Sequence, residues 1–495
     1  MAPVRRRLTS AYYPRMGRHL ASLTLLTIPL GGCSLLYDPD RLAAAADAAP
    51  PPLDVRPCEL MVSDISPLML YEGTGVGGSR PAVVVITGEN LVNSNTRVFI
   101  KEAGAADPTP LISIDNEKLE VGDHAQQLVA QVTVPVDTVT LKAGVTLPLD
   151  VTVTQDCAEG PVTQTLSAKM ALKGLDELAP VVTTATNLPV TGTQEYSQID
   201  VGAMVTLTSP TTPTVPTVPL VLRSRSSVKI VNAIKLDASG RTGGPAGGTG
   251  GTGGSGLGGV GTPGTGPSPG QPSGGPGGFD NTDPGLNTLN NPNRSSGGAG
   301  GDGSTLGTGG AGGGGGGSIE ISAGGDLQVG AISAKGAAGT AGNGGAGAGG
   351  GGSGGVILLR AGGTLMAGDL DVKGGGTGVR GRARYDAGGT AMVTPGELGT
   401  DHLRGPMFSS LPMTVRTPKP AFMVLGKPLT SFKYFVFKPD GSVSSLTQVL
   451  FGADGTAKVT LSEELKPGAS QICLVTESGG ATSQTSNCAD IAYLY

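Results

Sequence analysis

Residues 240–376 are dominated by glycine, and two short segments with alternating apolar residues interrupt them at 318–336 and 356–374. Aligned without a gap, the two segments match in their apolar and glycine positions: Leu327 with Leu365, Gly330 with Gly368, and Ile332 with Leu370. Alternating apolar residues predict strands, and the paired glycines after the first strand predict a tight corner with positive φ. A recurring unit of strand, corner and strand indicates a β-solenoid.

A solenoid needs further rungs, because about three repeats are required before a stack buries its apolar faces. A weaker copy of the unit spans 220–240, and 196–207 alternates in the same way. We therefore expect a mainly β protein with a short parallel β-solenoid over 184–376.

Glycine occupies every third position in several runs, including 244–259, 307–316 and 336–345. A three-residue period is typical of polyproline-II-type helices, in which only glycine fits at crowded contacts. Such periods also arise by chance where glycine is so frequent. Flexible, low-complexity loops over 241–317 and 337–355 are therefore the favoured interpretation, with disorder expected above all in the proline-rich part and in the Asn/Asp patch at 280–294.

The composition excludes some classes of protein. The chain of 495 residues contains 85 Gly, 37 Pro and no Trp, and only 15% of its residues are charged, which is unlike a compact α/β enzyme. The formal net charge of -5 provides no basic surface for nucleic acid, so we expect no nucleic-acid partner.

The N-terminus predicts an exported, anchored protein. Arg5–Arg7 precede an apolar run at 20–30, which is too short to span a bilayer and ends in Leu30, Gly31, Gly32 and Cys33. This ending resembles the bacterial lipobox, which implies a signal peptide at 1–32, lipid attachment to Cys33 and a membrane partner. By resemblance to Gram-negative lipoproteins, Ser34 implies the outer membrane. Residues 33–57 are rich in Ala and Pro and are expected to form a flexible tether.

Four further cysteines remain after Cys33: Cys58, Cys157, Cys473 and Cys488. An even number in an exported chain predicts two disulfides. We expect Cys58 to pair with Cys157, and Cys473 with Cys488, because each pair falls within one predicted β-domain.

Residues 58–173 contain several strand-like runs separated by turn residues. Ile65-Ser-Pro67 is followed by Gly77-Gly78, by a Val-rich run that ends at Gly88, and by a second strand-like run at 96–100. This series resembles the IPT/TIG domain, which implies a β-sandwich that binds partners or acts as a spacer and carries no catalytic residues.

The C-terminal region, 418–495, predicts a second small β-sandwich. Strand-like runs at 432–437, 456–461 and 471–476 are separated by turn signals. The region resembles bacterial immunoglobulin-like or fibronectin-type repeats, and Cys473 and Cys488 would join its final hairpin.

Chemical motifs in the chain are weak. His124 and His402 stand apart without zinc-ligand spacing, and Ser353 satisfies G-x-S-x-G only within a glycine run. Residues 297–305 nearly match a calcium-binding nonapeptide around Asp302, without a tandem copy. We expect no catalytic residue, no metal site and no cofactor.

Two functions remain open. The first is a non-enzymatic envelope lipoprotein that displays β modules for adhesion, for contact with matrix, polysaccharide or other envelope proteins, or as surface structure. The second is a β-helical polysaccharide lyase or hydrolase, which needs clustered carboxylates on one solenoid face. The acids available in the rungs are Asp326, Asp369 and Asp371, and only Asp369 and Asp371 share a face. The first function is favoured.

Overall fold

The computed structural model describes residues 59–494 except 78, 93–94, 107–110, 123–125, 137–144, 179–185, 190–191, 209–218, 279–294, 395–401, 405, 427, 430 and 476–487. The described residues form β-strands and no helix, which confirms the mainly β class. No helix suited to crossing a membrane is found among them. The predicted signal peptide, tether, lipid-attachment site Cys33 and cysteine Cys58 lie outside the described residues.

The first domain is a β-sandwich. Its strands are β1 (Met61–Ser66), β2 (Met69–Tyr71), β3 (Ala82–Glu89), β4 (Thr96–Glu102), β5 (Ser113–Val121), β6 (Gln127–Thr133), β7 (Thr146–Cys157) and β8 (Gly160–Lys173). Two four-stranded sheets, β1-β3-β6-β5 and β2-β8-β7-β4, face each other. Alternate residues such as Val84, Ile86, Val98 and Val151 point between the sheets and form the buried core.

The second domain is a parallel β-solenoid. Its strands are β9 (Asp176–Leu178), β10 (Thr186–Pro189), β11 (Thr193–Val201), β12 (Val205–Thr208), β13 (Leu220–Ser224), β14 (Val228–Ile230), β15 (Ile234–Lys235), β16 (Ser318–Ala323), β17 (Leu327–Val329), β18 (Ile332–Ser333), β19 (Val356–Ala361), β20 (Leu365–Ala367), β21 (Leu370–Asp371), β22 (Arg382–Ala387), β23 (Ala391–Val393) and β24 (His402–Arg404). Every pairing between its rungs is parallel.

The two repeats stack as predicted. Leu327 pairs with Leu365 and Ile332 with Leu370, each in direct register across neighbouring rungs. The weaker copy supplies β13–β15, whose Ile234 lies beside Ile332. The segment 196–207 covers most of β11 and β12 and the turn between them. The parallel sheet continues past residue 376, because β22 pairs with β19 and β24 pairs with β22.

The paired glycines at each corner are explained by close packing. Neither Gly324 nor Gly362 has positive φ, so that prediction is wrong. A Cβ atom on Gly324 would overlap the carbonyl oxygen of Arg225, and one on Gly362 would overlap that of Gly324. Glycine is required here because the backbones of successive rungs approach too closely for a side chain.

The glycine-rich insertions fold. The described residues of 241–317 and 334–355 lie between the β-strands of the rungs, and their peptide groups hydrogen-bond to several neighbouring glycine-rich segments. We call this assembly the glycine bundle. Around the segment at 295–303, Gly298 donates to Gly313, Ala299 to Gly275, and Gly300 to Thr262. The favoured prediction of flexible loops is therefore wrong for the described residues, because these glycine segments pack closely and hydrogen-bond to one another. That their backbone is of the polyproline-II type stays a prediction. The Asn/Asp patch at 280–294 lies outside them.

The third domain is a second β-sandwich. Its strands are β25 (Met407–Ser410), β26 (Thr414–Val415), β27 (Ala421–Leu425), β28 (Ser431–Phe437), β29 (Thr447–Leu450), β30 (Thr456–Thr460), β31 (Gly468–Val475) and β32 (Cys488–Tyr493). Sheets β25-β27-β30 and β26-β32-β31-β28-β29 enclose an aromatic core that includes Phe422, Phe432 and Tyr434. The predicted disulfide between Cys473 and Cys488 is present and joins directly opposite residues of β31 and β32.

Candidate functional site

The three domains meet at one place, which we call the junction. On β3, Ala82, Val84 and Ile86 face the core of the first sandwich, whereas Val83 and Val85 face outward. These two valines pack against Ala469, Ala492 and Leu494 of the second sandwich. Both faces of β3 are buried, and this explains why its sequence is a continuous apolar run instead of an alternating one.

The solenoid reaches the junction through the loop that follows β2. Gly73 has φ +83, and a Cβ atom there would lie 3.2 Å from the carbonyl carbon of Ser197 on β11. The carboxylate of Glu72 accepts a hydrogen bond of 3.0 Å from the amide of Leu175, which lies just before the first solenoid strand. A close backbone approach and a hydrogen bond from backbone to side chain therefore join the first sandwich to the solenoid.

Two adjoining cavities lie in the junction, with volumes of about 80 and 280 Å³. Four residues line both of them, and they come from all three domains: Thr74, Arg225, Gln471 and Asp490. The larger cavity is otherwise lined mainly by apolar residues from the segment after β1 and from the end of β28. It is a concave, apolar site with a few convergent polar groups, which is the usual form of a ligand pocket.

Asp490 is the central polar group of the junction. Its two carboxylate oxygens accept hydrogen bonds from Nε2 of Gln471, at 2.9 Å, and from the amide of Val83, at 3.2 Å. Some of its surface remains accessible from the cavity, but protein surrounds the rest of the side chain, and this desolvation raises the pKa of the Asp490 carboxyl group. Arg80 and Arg225 oppose that shift electrostatically.

Arg225 connects the solenoid to the first sandwich. Its guanidinium lies 2.5 Å from Oε1 of Glu195 on the neighbouring rung, and it stacks 4.3 Å from the ring centroid of Tyr71. Arg80 donates a hydrogen bond of 3.0 Å to the carbonyl oxygen of Leu411. Desolvation lowers the pKa of Arg80, against the opposing effect of Asp490.

An ion-pair ladder crosses the outer face of the first strand of successive rungs. Glu320 lies 3.9 Å from Arg223 and 3.6 Å from Arg360. Asp386 lies 3.6 Å from Arg360 and 3.1 Å from Arg384. Apart from Arg223, these side chains are almost fully buried. These side chains face away from the solenoid interior but are covered by protein. The ladder therefore pairs buried charges between neighbouring rungs.

The acids singled out from the sequence lie elsewhere on the solenoid. Asp326 accepts a hydrogen bond of 2.7 Å from the amide of Thr364. Asp371 lies 3.8 Å from Nζ of Lys335, which also contacts Asp237, and accepts a hydrogen bond from the amide of Lys373. Asp369 is exposed next to β21. Asp371 is thus part of a surface ion-pair row across three rungs.

The remaining candidate residues have structural surroundings where they are described. Ser353 is fully buried in the glycine bundle, and its Oγ accepts a hydrogen bond of 2.9 Å from the amide of Ser296. His402 begins β24, and His124 lies outside the described residues. Cys157 is disulfide-bonded, and its partner is not among the described cysteines. Among the described residues, no group of His, Cys, Asp and Glu is arranged to hold a metal.

The glycine bundle ends in a set of turns at the opposite end from the solenoid, at 255–260, 302–307 and 343–345, which we call the tip. Gly303 donates to the carbonyl oxygen of Gly259, and Oγ of Ser304 donates to that of Gly344 at 2.6 Å, so the turns are linked. The tip exposes Leu257 by 82%, Leu306 by 87% and Val260 by 60%. No sequence motif indicated these exposed residues, because their placement on linked turns depends on the folding of the bundle.

Comparison with known proteins gives little. No protein-family model matches the chain, and no curated protein matches it. Among solved structures, the chain is similar to AggA, the major subunit of aggregative adherence fimbriae type I from Escherichia coli, with 18% sequence identity over 24% of this chain and 97% of that chain. The TM-score is 0.14, so this likeness supports no statement about fold or function.

Proposed function

We propose that this protein is a non-enzymatic lipoprotein of the cell envelope that contacts a surface with the tip of its glycine bundle. The observation that carries the proposal is the exposure of Leu257, Val260 and Leu306 on turns that hydrogen bonds link to one another. Several exposed apolar residues on one surface, unlike single ones, mark interaction sites. The partner is an extracellular matrix, a glycan or another envelope protein.

The support is suited to display. Glycine-rich segments whose peptide groups bond to one another hold the tip away from the solenoid with almost no charged side chains between them. The turns at the tip therefore keep a fixed arrangement, and a preorganised surface loses less conformational entropy on binding.

The lipid anchor rests on the lipobox resemblance at Leu30–Cys33. Multiple acyl chains at Cys33 would hold the chain on the membrane, and Ser34 favours the outer membrane. Replacement of Cys33 by Ser should abolish incorporation of labelled fatty acid and release the protein from the membrane fraction. Retention of label in that variant would refute the anchor.

The alternative, a β-helical polysaccharide lyase or hydrolase, is less well supported. The carboxylates on the outer rung face are paired with buried arginines, and Asp371 is paired with Lys335. A glycosidase needs two carboxyl groups that are free to act on one bond.

A combined binding and product assay tests the proposal. The lipid-free chain from Ser34 onward contains all described residues, and it would be applied to arrays of glycans and matrix proteins while released sugars are measured. We expect saturable binding without products, and at least a tenfold loss of affinity when Leu257→Ser and Leu306→Ser are combined.

The matched control is Leu450→Ser, which removes a leucine that is 67% exposed on β29. Equal binding by the tip variant and this control would contradict a role for the tip. Product release that disappears with Asp369→Asn and Asp371→Asn would establish the enzyme instead.

A further inference from the structure

The lining of the larger junction cavity combines apolar and polar groups. Pro67, Leu68, Phe437 and Pro439 are apolar, whereas Arg225, Gln471 and Asp490 are polar. Phe437 lies directly opposite Gln471, which lies opposite Asp490, so the apolar and polar groups are neighbours. Leu68 is 52% exposed, so the apolar part of the lining reaches solvent. A ligand that fits must present both an apolar face and hydrogen-bonding groups.

The charged groups around this cavity already have partners of opposite charge. Asp490 interacts electrostatically with Arg80 and Arg225, Arg225 is paired with Glu195 at 2.5 Å, and Lys438 is paired with Glu463 at 2.8 Å. An ionic ligand would therefore bring an uncompensated charge into a partly desolvated site, which is unfavourable. The balance of charges selects a neutral ligand.

The volume limits the size of that ligand. The cavity of about 280 Å³ lies just below the range of small-molecule sites, about 300–1,000 Å³, so it accommodates one ring and not an extended molecule. Its polar lining residues offer donors from Arg225 and Gln471, and acceptors from Asp490 and Gln471, which are suited to vicinal hydroxyl groups.

We propose that the junction cavity binds one neutral pyranose ring, with its hydroxyl edge toward Gln471, Asp490 and Arg225 and its C–H face toward Tyr71 and Phe437. A neutral sugar combines hydroxyl groups with an apolar face in a single ring, which is the combination that this cavity requires. The site is separate from the tip, and the inference holds whether or not the tip binds a surface.

The test uses the lipid-free chain from Ser34 onward with methyl glycosides of glucose, galactose and mannose, and with methyl glucuronide as the charged counterpart. Saturation-transfer NMR measures binding. We expect saturable binding of at least one neutral glycoside, with shifts in the ring signals of Tyr71 and Phe437, and binding at least tenfold weaker for the glucuronide.

A filling variant locates the site. Leu68→Trp places an indole in the mouth of the cavity and should reduce neutral-glycoside binding at least tenfold. Its matched control, Leu450→Trp, adds the same side chain on the exposed edge strand β29 and should leave binding unchanged.

Three results would overturn the inference: no binding of any neutral glycoside, preference for the glucuronide, or equal binding by Leu68→Trp and the wild type. The Tyr71 and Phe437 shifts in the wild-type protein decide the question even if Leu68→Trp fails to fold. Combining Leu257→Ser with Leu306→Ser leaves this cavity intact, so failure of surface binding through the tip and failure of the sugar site are separate outcomes.

Discussion

The β-solenoid and the glycine bundle are both built from segments that stack on one another, but different groups fill their interiors. The solenoid interior consists of aliphatic side chains such as Ile319, Leu327, Leu365 and Leu370, all almost fully buried. The interior of the bundle at 295–301 contains peptide groups and hardly any side chain. The solenoid is stabilised mainly because folding removes apolar surface from water, and the bundle because its buried peptide groups form hydrogen bonds.

This difference has thermodynamic consequences. Exposure of apolar surface on unfolding raises the heat capacity, whereas exposure of polar surface lowers it. The bundle should therefore contribute little to the heat-capacity change of unfolding for its size. It should also tolerate polar substitutions on its surface, but no added side chain in its interior.

The largest effect is expected in the solenoid interior. Leu365→Asp should lower the free energy of unfolding by about 4 kcal/mol or more, because an unpaired charge is buried among aliphatic side chains. Denaturant titration of the chain from Ser34 onward measures the change. Met366→Asp, at the neighbouring outward position that is 38% exposed, should stay within about 0.5 kcal/mol of the wild type. Equal melting of the two variants would contradict the stacked interior.

A smaller effect is expected from one methyl group in the bundle. Gly300→Ala places a Cβ atom against the carbonyl group of Thr252 and should destabilise the protein by about 1–3 kcal/mol, as overpacking does. Gly202→Ala is the control, because a Cβ atom there meets nothing within 4 Å and its φ is not positive. That control should be neutral or stabilising by about 0.4–1 kcal/mol. Equal free energies of unfolding for the two alanine variants would contradict close packing at Gly300 and favour a flexible loop.

The same contrast explains how much the sequence could predict. The aligned repeats gave the rung register directly, because stacked side chains must match and Leu327, Leu365, Ile332 and Leu370 do so. The sequence of the bundle contains no such register signal, because glycine recurs by chance in a glycine-rich chain. The hydrogen bonds of the bundle also join residues far apart in sequence, such as Gly350 and Ala299. The three-residue glycine period was visible in the sequence. Whether it indicated packed segments or flexible loops depended on which segments lie next to one another.

The candidate site was missed for a related reason. Tyr71, Arg225 and Asp490 come from three domains, and no local pattern links them. One signal was present: the unbroken apolar run of β3 indicated that both of its faces are covered. The outward charges Glu320, Arg360 and Asp386 alternate with core residues and were visible in the rungs, yet only their registers reveal that they pair.

A third prediction concerns a threonine hydroxyl group on the surface of the bundle. Oγ1 of Thr262 accepts a hydrogen bond of 2.7 Å from the amide of Thr252, so this exposed side chain satisfies a peptide group of the neighbouring segment. Thr262→Val should destabilise the protein by about 1 kcal/mol. Thr305→Val, in an exposed turn of the tip, should leave the melting curve unchanged. A neutral Thr262→Val variant would show that the bundle does not depend on this threonine pairing.

The smallest effect concerns pH and is confined to the tip. Hydrogen bonds from the hydroxyl group of Ser273 and the amide of Gly261 lower the pKa of Asp302. A carboxyl group whose pKa is lower in the folded state stabilises the fold above its unfolded pKa, about 3.9. That contribution is lost as the pH falls through the folded value.

Acidification from neutral pH to below about 3.9 should therefore loosen the turns of the tip while the solenoid interior around Leu365 stays folded, because burial of its aliphatic side chains does not depend on a charge. NMR signals of the Gly261 and Leu365 amides, followed across this range, measure the two regions in one sample. The Gly261 signal should shift only at pH values below the ordinary pKa of an aspartate side chain, about 3.9. Asp302→Asn should remove the transition. A Gly261 transition at or above pH 3.9, or one shared with Leu365, would mean that Asp302 does not hold the tip and that the two regions respond to acid as one.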